Sequence, residues 1–205
     1  MDFLTQFPIT SALIGANLVA SLLAFSNPAF YEQNLFRVGN VLKRGEWHRI
    51  LTSGFLHTGA THLLFNMLTL YFFGPALENL LGAAGYLIVY FGSLLGAGAW
   101  MVFEKRRDLS YSAVGASGAV SGVILAYCLF YPFYPFSMLY LIFAIPIPAI
   151  VFGVGFLLIS FYLSRREGGM IAHGAHLGGA LAGLVLTVLV APEALTAFMN
   201  AISGA

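Results

Sequence analysis

Charge is what this sequence has least of. Asp, Glu, Lys and Arg make up 8% of its 205 residues, against roughly 25% in a typical soluble domain. A surface facing water throughout could not be covered by so few, so the alternative solvent is lipid. Cysteine is nearly absent as well. The one thiol, Cys128, excludes an internal disulfide framework. A net charge of +1 gives no electropositive surface for nucleic acid. There is no HExxH motif, no cysteine pair and no Asp or Glu inside the apolar runs. The imidazoles of His57, His62, His173 and His176 therefore make a poor case for a metal, and no cofactor is expected. A basic n-region is missing before the first apolar run, which is expected to be a span and not a cleaved signal peptide.

What is present is length without charge. Asp, Glu, Lys and Arg are missing from 3–31, 50–77, 79–103, 109–164 and 168–192. A span needs about 20 mainly apolar residues, so four runs hold one each and 109–164 holds two. Tyr131-Pro132-Phe133-Tyr134-Pro135 marks the break within it, since proline lacks a donor and disfavours helix at the residue before it. The pattern predicts an all-α, six-span membrane bundle in one domain over 1–205, with spans near 9–27, 60–81, 83–103, 113–131, 136–163 and 170–191. Pro146 and Pro148 predict a kink in the fifth. Residues 28–59 mix aromatic and basic side chains and predict a structured loop lying on or partly in the membrane. All nine Lys and Arg fall on one side of this topology, which the positive-inside rule assigns to the cytoplasm.

Polar residues inside spans are few, and they cluster. His62 and Asn66, four apart, share a helix face at the start of the second span. Either they bond neighbouring helices or they donate into a cavity. Ser117 lies in Gly115-Ala116-Ser117-Gly118 at the start of the fourth span. That string is either a small-residue packing surface or an approach for a substrate backbone. His176, Gly179 and Gly183 fall on one face of the sixth, so the histidine sits on the stripe that can come closest to another helix. Alternate spans run in the same direction, which brings a nucleophile, a base and hydrogen-bond donors to one depth. Such a set suits acyl transfer.

These motifs resemble those of the rhomboid intramembrane proteases, over about residues 10–190. The resemblance implies Ser117 as nucleophile, within Gly115-Ala116-Ser117-Gly118, and His176 as general base, within the motif continued by Gly179 and Gly183. It implies His62 and Asn66 as the oxyanion-stabilising pair. Glu46-Trp47-His48-Arg49 resembles the family's first-loop tryptophan–arginine motif, making Trp47 and Arg49 structural, and Glu78 matches a glutamate that closes the second span. Two positions depart from the family. Ser121 stands where a tyrosine often packs on the histidine ring, leaving Tyr71 or Tyr127 as aromatics to fill that place, and His48 interrupts the first-loop motif.

The implied activity is a Ser–His dyad cleaving transmembrane helices of other membrane proteins in the lipid bilayer. A bacterial inner membrane is the expected location, with the active-site face away from the cytoplasm, the reverse of what the charges indicate. Two other functions compete. A non-catalytic rhomboid-like protein would bind transmembrane helices for quality control. A small transporter would need ionisable groups along a pathway and repeated halves, and neither is visible.

Overall fold

A backbone in lipid has no water to bond, so each apolar run folds into a helix that satisfies its own amides. The computed structural model describes residues 2–134, 147–164 and 173–204. A short α1 (Phe3–Gln6) is capped by Asp2, whose carboxylate accepts from the Thr5 amide. Then α2 (Pro8–Ser26) opens with proline at its first position, where a missing N–H costs nothing. Its next two amides are satisfied from afar. Glu78 accepts from the Ile9 and Thr10 amides and from the Thr10 hydroxyl, all at 2.8 Å.

Residues 28–59 form an ordered loop of α3 (Pro28–Asn34), β1 (Phe36–Arg37), α4 (Val38–Arg44), α5 (His48–Thr52) and a 3₁₀ turn, Ser53–Phe55. Phe36, Val38, Val41 and Ile50 form a small core there with Ala97, Met101 and Ala175. Arg49 ties the loop together. Only 8% exposed, it donates to the Glu46 carboxylate, to the Glu32 carbonyl at 2.8 Å and to the Leu35 carbonyl at 3.0 Å. Trp47, by contrast, is 57% exposed, as an interfacial ring would be.

The next helix, α6 (Ala60–Lys105), is 46 residues long and is interrupted at Gly82, where φ 65° and ψ 174° leave helical space. Glycine takes that conformation without strain. At 1.5 Å per residue, 46 residues would cover about 69 Å, twice the hydrocarbon core, so the break falls where the chain must turn. The close approach of Gly74 to the Tyr86 hydroxyl packs the second limb on the first, and that of Gly98 to Ile50 packs the second limb on α5. The break at Gly82 falls between the ranges 60–81 and 83–103 expected for the second and third spans.

After α6 a strand β2 (Ser112–Ala113) pairs antiparallel with β1, Phe36 facing Ala113 and Arg37 facing Ser112. The helix in the fourth expected span is shorter than 113–131: α7 covers Ser117–Phe130, because Ser112–Ala113 are drawn into β2 and helix begins only at Ser117. The fifth differs more. Helix α8 covers Ala149–Ser164, so Pro148 precedes the helix and does not kink it. Pro146 and the rest of 135–146 lie outside the described residues. The start of α8 is bound to the turn after α7, with the Ala149 amide donating to the Tyr134 carbonyl at 2.9 Å and Ile150 to Pro132 at 2.8 Å. The range expected for the sixth span holds α9 (His173–Val190). A further helix, α10 (Glu193–Ser203), bends away from it by 104°; the apolar runs gave no sign of that turn.

Among the described helices, α2 and α6 are long and apolar enough to cross a membrane, and α9 with α10 meets the same test as a bent pair. The seven described cations, Arg37, Lys43, Arg44, Arg49 and Lys105 to Arg107, lie on the two segments that the β1–β2 pair joins. Arg165 and Arg166 lie outside the described residues.

Candidate active site

Helices α7 and α9 meet through glycine. A Cβ on Gly179 would fall on the Gly118 carbonyl, and one on Gly183 would fall on the Gly122 Cα. Without side chains between them the backbones come into contact. His176 lies one turn before Gly179 on the same stripe of α9. Its Nε2 is 2.8 Å from the Ser117 Oγ, within reach for proton transfer. His176 is 5% exposed. Ser117 is the first residue of α7, so its own N–H has no partner within the helix.

The residues just before Ser117 are anchored. The Gly115 amide donates to the Ser53 carbonyl at 3.0 Å, and φ at Gly115 is 132°. A side chain there would be strained, and its Cβ would also sit 2.7 Å from the His62 ring. His62 is thereby pressed against the approach to Ser117. Its Nδ1 is 3.2 Å from the Thr58 hydroxyl. Asn66 is buried one turn further into α6, and its amide donates to the His62 carbonyl at 3.0 Å. The structure thus brings Ser117, His176, Gly115 and His62 together. It places Asn66 on the His62 face, bonded to its own helix.

His57 extends the group. Its ring packs edge-on to His62, centroids 4.9 Å apart at 73°. Ser21 donates to the Phe55 carbonyl at 3.0 Å, so its oxygen is free to accept from His57 Nδ1 at 2.8 Å. Burial, aided by the neighbouring His62, pushes His57 down to about 3, so the ring is neutral. Among the described residues no three His, Cys, Asp or Glu side chains gather to hold a metal ion.

Neither of the two tyrosines expected packs on His176. Tyr71 stacks on Phe3 and Tyr127 packs edge-on to Phe73. Phe156 of α8 stacks on the imidazole instead, centroids 5.2 Å apart and planes 29° apart. Ser121 bonds back to the Ser117 carbonyl at 2.6 Å. The sequence held no signal for Phe156, because α8 is apolar all round and contains four phenylalanines or tyrosines. A small cavity opens beside Ser117, walled by Ile50, Leu94, Ala97, Met101 and Val114. Glu78 lies at the other end of the first limb of α6, and Trp47 and Arg49 belong to the loop and not to the site.

A helical membrane bundle with a serine and a histidine in hydrogen-bond contact inside it defines a narrow class. Residues 44–193 match the family model of the rhomboid domain. The chain belongs to the rhomboid family. It is 37% identical over 130 residues to YdcA of Bacillus subtilis (strain 168), provisionally named a rhomboid protease, covering 61% of this chain and 63% of that one. It is 32% identical to the mitochondrial RHOMBOID-like protein 12 of Arabidopsis thaliana, over 75% of this chain and 49% of that one. It is 26% identical to the rhomboid protease AarA of Providencia stuartii, over 80% and 62%. The match spans less than two thirds of each relative's length.

Proposed function

We propose that this chain is an intramembrane serine endopeptidase acting through Ser117 and His176. The observation that carries the reading is the 2.8 Å contact between Ser117 Oγ and His176 Nε2 at a glycine-to-glycine helix crossing. In the first step His176 takes the Ser117 proton while Oγ attacks the peptide carbonyl, giving a tetrahedral intermediate. Its oxyanion is held by His62, by Asn66 after it leaves the His62 carbonyl, and by the Ser117 N–H at the positive end of α7. His176 then gives its proton to the leaving amine. Water, activated by the same histidine, releases the acyl-enzyme. No cofactor or metal takes part.

The substrate is another membrane protein, cut near the end of a transmembrane helix whose backbone has first unwound, since helical carbonyls are already bonded. The cavity beside Ser117 suits a small side chain. The bundle crosses the membrane six times, through α2, both limbs of α6, and the segments that end in or contain α7, α8 and α9. Its location is a bacterial inner membrane. The whole of 1–205 acts as one domain, with the loop 28–59 resting against the bilayer.

The test is cleavage of a single-span substrate in liposomes by wild type and by Ser117→Ala. Cleavage by the first alone is expected. Cleavage by both removes Ser117 as nucleophile. Silence from both, with substrate binding kept, favours the non-catalytic helix-binding protein.

A further inference from the structure

A dyad needs its imidazole held in one plane, because a small rotation carries Nε2 off the line to the serine. On α7 the residue one turn after Ser117 offers no ring: Ser121 is fully buried and turned onto the Ser117 carbonyl. Among the described residues a third helix supplies a ring on the imidazole face. Phe156 lies 5.2 Å from His176 at 29°, an offset stack of the kind aromatic pairs prefer. Phe156 is backed in turn by Phe152, 6.3 Å away at 21°, so three rings stand in a row.

The seat of that row is fixed to α7 one turn earlier. A Cβ on Gly153 would lie 2.9 Å from Cys128 Sγ, and Cys128 donates to the Ala149 carbonyl at 3.2 Å. Beyond this anchorage Val154, Leu158 and Ile159 face outward. The support for the base therefore belongs to neither the helix of the nucleophile nor that of the base.

We propose that Phe156 is a positioning residue of the dyad, holding the His176 ring in register with Ser117 while α8 is docked on α7. This rests on the protease reading above. Phe156 touches no reacting atom, so its loss acts on turnover and leaves substrate binding intact.

The experiment compares Phe156→Leu, Phe156→Tyr and Leu157→Ala with wild type and Ser117→Ala, following substrate cleavage and labelling by a fluorophosphonate probe in liposomes. Leu157 packs on the same core but is not the stacking ring. Phe156→Leu is expected to lower kcat by about ten- to a hundred-fold with KM unchanged, as a small misplacement of a reacting group does. Its probe labelling should slow in step. Phe156→Tyr should restore most of the rate, and Leu157→Ala should stay near wild type. A Phe156→Leu enzyme as fast as wild type, a tyrosine that fails to rescue, or an equal loss in Leu157→Ala would each overturn the positioning role. Labelling and cleavage that persist in Ser117→Ala would overturn the dyad itself, which separates the two failures.

Discussion

Gly179 of α9 sits directly on Gly118 of α7, with no room for even a methyl group between them. This contact sets the distance between His176 and Ser117, because each lies within one turn of one of the two glycines. Gly179→Ala must push the helices apart. Overpacking of this kind costs about 1–3 kcal/mol, and a displacement near 1 Å at reacting atoms costs about a hundredfold in rate. Activity should therefore fall much further than thermal stability in detergent. Gly15→Ala, with nothing within 4 Å of its Cβ, should change neither.

His62 and Asn66 differ in what they must do before they can help. The His62 ring already lies against Gly115, whereas the Asn66 amide is spent on a helix carbonyl. Removing one oxyanion donor typically costs roughly a hundred- to a thousand-fold in kcat. His62→Ala is expected to show that loss with KM little changed. Asn66→Ala should lose less, because its donor must exchange partners to contribute. Single-turnover cleavage by each variant checks the order; a larger loss for Asn66→Ala would reverse the assignment of the main donor.

Glu78 caps a helix 68 residues away in sequence, at the end of the bundle opposite the dyad. Glu78→Ala leaves two amides and a hydroxyl without their acceptor, at about 1–3 kcal/mol for each unsatisfied group. The variant should melt at a lower temperature in detergent while the surviving protein keeps its kcat. A normal melting temperature would show that lipid or water replaces the carboxylate.

How much of this was legible in the sequence follows from what each feature depends on. Helices α2, α7 and α9 and the turn at Gly82 are written as apolar runs bounded by glycine, proline and charge, and the small-residue spacing of Gly179 and Gly183 exposed the crossing. The approach of Ser117 to His176 was legible because both stand beside those glycines. The β1–β2 pair is two residues long and has no period to detect. The stack of Phe156 on His176 was hidden among equally apolar neighbours, and Ser121 pointed towards Tyr71 and Tyr127 instead. The bend into α10 follows Ala191-Pro192, a proline that the charge-free run concealed.

Orientation pits the cation count against the family's usual arrangement. Three of the seven described cations are already paired with carboxylates on the same face, Arg37 with Glu32, Arg49 with Glu46 and Lys105 with Glu104. The retained positive charge at that face is smaller than the count of Lys and Arg implies. Arg106→Cys is therefore expected to react with a membrane-impermeant maleimide from outside intact cells. Cys128, the native thiol, is buried and gives no background. Labelling only after lysis would put the active-site face in the cytoplasm.

The first loop should also carry a pH signature. Hydrogen bonds from Arg49 and then Asn40 hold the Glu46 carboxyl below its ordinary range. A group whose folded pKa is depressed contributes stability above its unfolded pKa, about 4.3 for glutamate, and loses it as pH falls through the lower folded value. The melting temperature should thus be level near neutral pH and fall in acid below about pH 4. Protonated Glu46 also releases Arg49, whose other bonds hold the Glu32 and Leu35 carbonyls, so the loop core of Phe36, Val38 and Val41 should loosen with it. Glu46→Gln keeps the size of the side chain and cannot titrate. It should be less stable than wild type at neutral pH and show a shallower fall in acid, whereas an unchanged acid slope would assign the loss to another carboxylate.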